Sequence, residues 1–269
     1  MRKSLLFACL LLLGFSASAA PDPAPLYQQH CVSCHGADRL GGLGPALLPQ
    51  NLERLKKPEA LAVITAGRPA TQMQGFKDKL KPEEIQALAD FIYTPPATPP
   101  QWGEAEIRAS RYEAVKPGSL PDKPSFSADP LNLFVVVEAG DHHVTVLDGD
   151  KFEPIHRFPS RFALHGGPKF TPDGRYVFFA SRDGWVSKFD LYNLKTVAEI
   201  RAGINTRNIA VSGDGQWVMV ANYLPHTLVL LNAADLSLER IIPVVNEAGK
   251  SSRVSAVYDA APRKSFVAA

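Results

Sequence analysis

The sequence predicts a multidomain fold in which a small all-α domain is followed by an all-β domain. Three observations support this prediction. Two cysteines three positions apart precede segments whose apolar residues fall at helical spacing, up to residue 94. A proline-rich break, TPPATPP, follows at residues 94–100. From residue 131 onward, strand-like segments rich in Val, Phe and Tyr recur at a nearly constant spacing.

Residues 1–20 have the pattern of a signal peptide. Arg2 and Lys3 precede the apolar run LLFACLLLLGF, and the small residues at positions 17–19 provide a cleavage site. The run is too short to favour the alternative, an uncleaved membrane anchor. We therefore expect export to the periplasm and no membrane span.

Removal of this segment balances the charge of the chain. The sequence has 29 basic and 27 acidic residues, and cleavage removes Arg2 and Lys3. A mature protein with equal numbers of both signs is not expected to bind nucleic acid or an anionic membrane surface. Cleavage also removes Cys9, which leaves Cys31 and Cys34 in the exported protein.

Cys31, Cys34 and His35 form the pattern Cys-x-x-Cys-His within QQHCVSCHGADRLGGLGP. A disulfide, a zinc site and a redox motif are the alternatives. Zinc needs two more ligands at a matching spacing, and a redox motif usually follows a strand of a βαβ unit; this sequence has neither. The pattern is instead the attachment signal of haem c, because it places both sulfurs on one side of a helical turn. His35 is then expected to bind the haem iron.

Met73 is the predicted second ligand of the haem c iron. It is the methionine that lies between the haem signal and residue 100, in the loop GRPATQMQGF ahead of the helical pattern KPEEIQALADFIY. A thioether opposite histidine is a common cytochrome ligand pair and raises the reduction potential. The alternatives are that Met73 is a core residue, or that His30 is the ligand. His30 is too near the attachment helix to reach the opposite haem face.

Residues 24–94 resemble a class I cytochrome c domain in their order of helix, CxxCH, Gly-rich loop, Met loop and helix. The resemblance implies that Pro45 supports His35 and that residues 21–94 form this domain. Residues 95–130 are predicted to be a Pro-rich linker with one short helical candidate, EAEIRASRYEA.

The second domain has an internal repeat. Asp148, Asp190 and Asn232 occupy equivalent positions, with 42 residues from each to the next, and Asp173 and Asp214 are 41 apart. A period of this length with Asp-Gly turns is typical of a β-propeller. The alternative, a sandwich without repeats, does not account for spacing kept through three turns.

Residues 131–269 hold about three such repeats, and a closed propeller needs at least four. We therefore expect this region to be the first blades of an incomplete propeller, of the eight-bladed type, in a chain truncated at its C-terminus.

The stretch FALHGGPKFTPDGRYVFFASRDGWVSKFDLYNLKTVAEIRAGINTRNIAVS resembles the ligand region of the cytochrome cd1 family. In that family a cytochrome c domain precedes an eight-bladed propeller that holds haem d1. The resemblance implies that His165 binds the iron of a d1-type haem. It also implies that Arg182 and Arg207 lie near the carboxylates of that haem.

The sequence departs from the nitrite reductases of this family. NEAGKSS precedes Arg253 and Val254 where the reductases have a histidine, and no histidine follows His226. The layout is more similar to the dihydro-haem d1 dehydrogenases, which implies desaturation of a propionate to an acrylate during haem d1 biosynthesis. Electrons would then leave through haem c to an external acceptor, and a nitrite reductase is a candidate recipient of the product. The alternatives are a nitrite reductase and a non-catalytic haem d1 carrier. No catalytic base is assigned.

Overall fold

The computed structural model describes residues 20–269, so the predicted signal peptide lies outside the described residues except for Ala20. Helices dominate up to residue 93, and antiparallel strands follow from residue 112. This order confirms the predicted fold class, an all-α domain followed by a propeller-like domain. No helix within residues 20–269 is both long and apolar enough to cross a membrane.

Four helices form the first region, and proline and carboxylate caps mark where three of them begin. They are α1 (Pro23–His30), α2 (Val32–His35), α3 (Lys57–Ala66) and α4 (Pro82–Tyr93). The Asp22 carboxylate accepts a hydrogen bond from the Ala24 amide at the start of α1, 3.0 Å away. At the start of α4, Glu84 accepts one from the Lys81 amide at 2.8 Å. The apolar positions that predicted α4 are all buried in the core of this region: Ile85, Leu88, Ala89 and Ile92.

The predicted linker packs against the second region. The helical candidate forms α5 (Glu104–Ser110), and its Ile107 is fully buried in the core of the strands. Strand β1 (Tyr112–Glu113) then pairs with an outer strand of that region. The indole N–H of Trp102 donates to the Arg201 carbonyl at 3.0 Å. The proline content of this segment predicts a spacer. In the structure, apolar burial and strand pairing hold it against the second region.

The strands of the second region form four antiparallel sheets, which we call blades 1 to 4. The bounds of their strands are β2 (Leu133–Glu138), β3 (His143–Asp148) and β4 (Pro154–Pro159) in blade 1; β5 (Lys169–Phe170), β6 (Tyr176–Ala180), β7 (Trp185–Asp190) and β8 (Lys195–Arg201) in blade 2; β9 (Asn205–Val211), β10 (Trp217–Leu224), β11 (Thr227–Asn232) and β12 (Leu238–Pro243) in blade 3; β13 (Val257–Ala260) and β14 (Ser265–Ala268) in blade 4.

The repeated side chains end strands and hold turns. Asp148, Asp190 and Asn232 are the last residues of β3, β7 and β11. Each accepts a hydrogen bond from the amide two residues later, at 2.8–2.9 Å. Asp173 and Asp214 do the same in the turns before β6 and β10, at 3.1 Å. The repeat therefore arises because each blade reuses the same Asx-type turns.

The blades pack face to face in chain order. One apolar core lies between blades 1 and 2, where the rings of Phe158 and Phe189 stack with centroids 4.0 Å apart. A second core joins blades 2 and 3, and a third joins blades 3 and 4. This is the packing of a propeller, and within the described residues the blades do not close into a ring.

An apolar cluster joins the helical region to the blades. Ala46 and Leu48, from the loop after the CxxCH motif, are buried against Ile204 between blades 2 and 3. Leu40, Trp102 and Leu224 pack around them. We call these six residues the interface cluster. It places the loop that supports His35 directly on the blades.

Lys188 allows a test of the packing between blades 2 and 3. Its ammonium is buried 3.9 Å from the centroid of the Tyr176 ring and donates to the Ala234 carbonyl at 2.9 Å. Burial lowers the pKa of Lys188 from 10.5 to about 8. Between these two pKa values the unfolded chain holds a proton that the folded chain has lost, so the free energy of unfolding rises with pH across this window.

We expect the titration of Lys188 to raise the free energy of unfolding by up to about 3 kcal/mol between pH 8 and 10.5. Urea unfolding of the wild type and of Lys188→Met, measured at several pH values, gives this term as a difference, since other titrating groups cancel. Equal pH dependence in the two proteins would contradict the buried position of Lys188.

Candidate functional site

The two cysteines of the CxxCH motif lie where a haem can be attached. Cys31 ends α1 and begins α2, and Cys34 follows one helical turn later. Both are free thiols and partly buried. Burial, together with the neighbouring Cys34, raises the pKa of Cys31 to about 11. Reactive redox cysteines have a lowered pKa, so the environment of Cys31 disfavours a redox motif.

A single hydrogen bond orients the imidazole of His35. Its Nδ1 lies 2.8 Å from the Pro45 carbonyl oxygen. A carbonyl only accepts, so Nδ1 carries the proton and Nε2 keeps its lone pair for a metal. Burial lowers the pKa of His35, which favours this neutral form. A Cβ at Gly44 would lie 2.7 Å from the ring, so this position leaves room only for glycine. The contact from Pro45 is the one that the cytochrome c resemblance implies.

Met73 lies in a loop that backbone hydrogen bonds hold in shape. Its carbonyl accepts from the Arg68 amide at 2.9 Å, and its own amide donates to the Thr71 hydroxyl at 3.2 Å. The side chain is partly buried against the core of the helical region. His30, the alternative ligand, packs its ring against the edge of Phe76, with centroids 5.9 Å apart. The assignment of Met73 to the haem c iron stays a prediction.

His165 repeats the arrangement found at His35. Its Nδ1 lies 2.9 Å from the Arg207 carbonyl oxygen, so Nδ1 again donates and Nε2 is left for a metal. Its amide donates to the Ala180 carbonyl at 2.8 Å, which ties it to the end of β6. Burial lowers the pKa of His165, and the nearby cations Arg207 and Arg182 lower it further. The residue is therefore a neutral imidazole held by two neighbouring blades.

The structure brings His165, Arg182 and Arg207 together, as the cytochrome cd1 resemblance implies. Arg182 lies in the turn between β6 and β7, and Arg207 lies near the start of β9. The Arg207 guanidinium lies over the ring of Tyr223, 4.9 Å from its centroid. Cationic groups beside a neutral imidazole suit a metal-centred ligand that carries carboxylates.

Sequence reasoning did not identify Tyr223 or the role of Arg253 in this site. The Arg253 guanidinium also lies over the Tyr223 ring, 4.9 Å from its centroid. The Tyr223 hydroxyl shares a hydrogen bond with Ser255 at 3.2 Å. This bond and the adjacent guanidiniums lower the pKa of Tyr223. No local sequence pattern predicts these contacts, because they join positions 30 or more residues apart.

The model of the cytochrome D1 heme domain matches residues 128–269, which is more than half of the chain. The chain belongs to this family. A second model, cytochrome C oxidase, cbb3-type, subunit III, matches residues 18–92, the region that contains the CxxCH motif. The predicted resemblance to the cytochrome cd1 family is confirmed.

Two known proteins and one solved structure give the relationship in detail. The dihydro-heme d1 dehydrogenase of Pseudomonas aeruginosa is 62% identical over 96% of this chain and 53% of its own length. The nitrite reductase of Stutzerimonas stutzeri is 26% identical over 98% of the chain and 51% of its own length. A structure of dihydro-heme d1 dehydrogenase NirN in complex with DHE aligns with a TM-score of 0.85 and 63% identity, over 92% of this chain and 53% of that one. The chain thus spans about half the length of these relatives.

The position of Met73 leads to a spectroscopic prediction. In protein carrying haem c, Met73→Leu should abolish the sulfur-to-iron charge-transfer band and lower the reduction potential, since a thioether ligand raises that potential. Met219→Leu is the matched control, because Met219 is buried in the blades. Absorption spectra and redox titration measure both effects. A band that survives in Met73→Leu would exclude this ligand.

Proposed function

We propose that the protein is an exported c-type cytochrome that desaturates a propionate of dihydro-haem d1 to an acrylate. The observation that carries this proposal is the environment of His165, a neutral imidazole with Nε2 available and arginines beside it. The chain is 62% identical to a dihydro-heme d1 dehydrogenase over about half the length of that protein, which supports the same activity.

The residues of the blades would bind and orient the tetrapyrrole. His165 would bind its iron through Nε2, while the hydrogen bond to the Arg207 carbonyl keeps the ring in one orientation. Arg182 and Arg207 would bind peripheral carboxylates, because a guanidinium is permanently charged and can donate two parallel hydrogen bonds. Iron ligation and carboxylate binding together would place one side chain of the macrocycle in a defined position.

Desaturation of a propionate breaks two C–H bonds and forms one C=C bond, so two protons and two electrons leave. When bound, haem c supplies one-electron transfer and can pass the electrons on singly. Cys31 and Cys34 would hold it covalently, with His35 and Met73 on its iron. The interface cluster packs the loop beside His35 on the blades, so both sites belong to one packed unit. An external electron acceptor completes the reaction.

The proposal includes the place of the reaction. Residues 1–20 would direct the chain to the periplasm, where haem c is attached. A nitrite reductase that uses haem d1 is the partner that would consume the product. The Pseudomonas and Stutzerimonas relatives named above include both types of enzyme.

The direction of the chemistry gives the central prediction. The protein, loaded with haem c and dihydro-haem d1, should form the acrylate product when given an oxidant. It should reduce nitrite only marginally. Mass spectrometry of the extracted tetrapyrrole detects the loss of two hydrogens. Brisk nitrite reduction without desaturation would favour the reductase, and return of unchanged dihydro-haem d1 would favour a carrier.

The role of His165 is tested separately. His165→Ala should weaken binding of dihydro-haem d1 at least about tenfold and alter the spectrum of its iron, because an axial ligand is lost. His156→Gln is the control, since His156 lies in the outer strand of blade 1 and stacks on Phe158. An absorbance titration measures both properties. Wild-type affinity and spectra in His165→Ala would remove His165 from the iron.

A further inference from the structure

Two arginines of the helical region, Arg54 and Arg68, lie on segments that contact the blades. Arg54 follows the buried Leu52 and precedes α3, and Arg68 begins the loop that contains Met73. Both are exposed. The residue before Arg54, Glu53, forms an ion pair with Arg253 at 3.1 Å. This pair joins the turn that carries Arg54 to the segment beside Tyr223.

The Met73 loop also lies against the blades. A Cβ on Gly140, between β2 and β3, would be 3.0 Å from the Ala70 carbonyl oxygen. The side-chain nitrogen Nε2 of Gln72 lies 3.5 Å from the Asp141 carbonyl oxygen. The Arg68 amide donates a hydrogen bond to the Met73 carbonyl. Arg68 is therefore held at the edge of the blades that carries Gly140 and Asp141.

These contacts bring the charges of Arg54 and Arg68 within range of Arg182 in the blades. We call Arg54, Arg68, Arg182 and Arg207 the arginine cluster. Loss of surrounding water lowers the pKa of Arg182, and repulsion from the other three members lowers it further. Arg54 also acts on Tyr223, the ring against which Arg207 lies. Two separate groups in the blades therefore experience the charge of Arg54.

The arginine cluster has no acidic counterpart in the part of the chain that the structure describes. Within residues 20–269, the ion pair to Glu53 goes to Arg253, and no member of the cluster has a carboxylate within 4.0 Å. Elsewhere the arginines of this chain do find partners; Arg157, Arg161 and Arg175 each pair with acidic residues. Four like charges held together are unfavourable unless an anion joins them.

We propose that Arg54 and Arg68 complete, with Arg182 and Arg207, one binding site for the carboxylates of a d1-type tetrapyrrole, so that the bound tetrapyrrole bridges the helical region and the blades. This inference rests on the proposed function. It adds that the helical region contributes two arginines to the binding site. A tetrapyrrole with several carboxylates supplies the charges that the cluster lacks. Since Arg68 is anchored to the Met73 loop, binding also fixes the haem c region over the macrocycle.

The test uses the protein carrying haem c. Arg54→Gln, Arg68→Gln and the double variant are titrated with dihydro-haem d1 at low and high salt, beside the wild type. Arg108→Gln is the matched control, because Arg108 is an exposed arginine that pairs with Glu104 on α5. Arg182→Gln serves as the positive control. An unchanged haem c spectrum and melting temperature show that each variant is folded.

We expect the double variant to bind at least about tenfold more weakly at low salt, with a smaller loss of affinity on adding salt than the wild type shows. Arg108→Gln should bind like the wild type, and Arg54→Lys/Arg68→Lys should recover most of the affinity. Wild-type affinity in the double variant, with weak binding by Arg182→Gln, would overturn this inference and leave the proposed function intact. If the wild type itself does not bind dihydro-haem d1, the proposed function fails and the inference fails with it.

Discussion

The buried guanidinium of Arg201 joins the helical region, the linker and the blades, the three parts of the chain that carry the two sites. It donates to the Leu40 carbonyl in the loop after the CxxCH motif and to the Asp183 carbonyl in blade 2, the latter at 2.8 Å. It also lies over the indole of Trp102 from the linker, 4.5 Å from the ring centroid. A buried cation is costly unless acceptors surround it, so these contacts are mutually dependent. The interface cluster of apolar side chains lies beside this point.

Each of the two proposed iron sites rests on the same chemical device. A backbone carbonyl accepts the Nδ1 proton of a partly or fully buried histidine, at Pro45 for His35 and at Arg207 for His165. The bond sets the tautomer and the ring orientation, and burial keeps the imidazole neutral. At His35 the carbonyl comes from the adjacent loop, while at His165 it comes from the next blade. The second site therefore forms only where two blades pack together.

The electrostatics of the two regions complement each other. The blades place Arg182 and Arg207 beside His165, and the helical region adds Arg54 and Arg68 across the interface. The Arg207 and Arg253 guanidiniums each lie over the Tyr223 ring, and Arg253 also forms an ion pair with Glu53. Because the two regions pack together, their positive charges form a site that favours an anionic ligand.

Several features could be predicted from the sequence because their causes are local or periodic. The CxxCH motif identifies Cys31, Cys34 and His35 through bonding geometry within one helical turn, and α4 follows from its apolar spacing. The 42-residue spacing predicted the blades, because each blade repeats the Asx-type turn seen at Asp148, Asp190 and Asn232. His165 was found through resemblance, since a lone histidine before two glycines has no periodic signal of its own.

Tertiary structure alone decided the contacts between distant segments. The carbonyl that orients His165 belongs to Arg207, 42 residues later, and the partner of Arg253 is Glu53, 200 residues earlier. The linker reads as a proline-rich spacer, yet Ile107 is buried in the core of the blades and β1 pairs with β8. Such pairings depend on which surfaces meet when the blades stack and the helical region packs on them. The sequence by itself determined the elements and their chemistry, whereas the approach of Arg54 and Arg68 to the site required the folded chain, because hydrophobic packing at the interface brings them there.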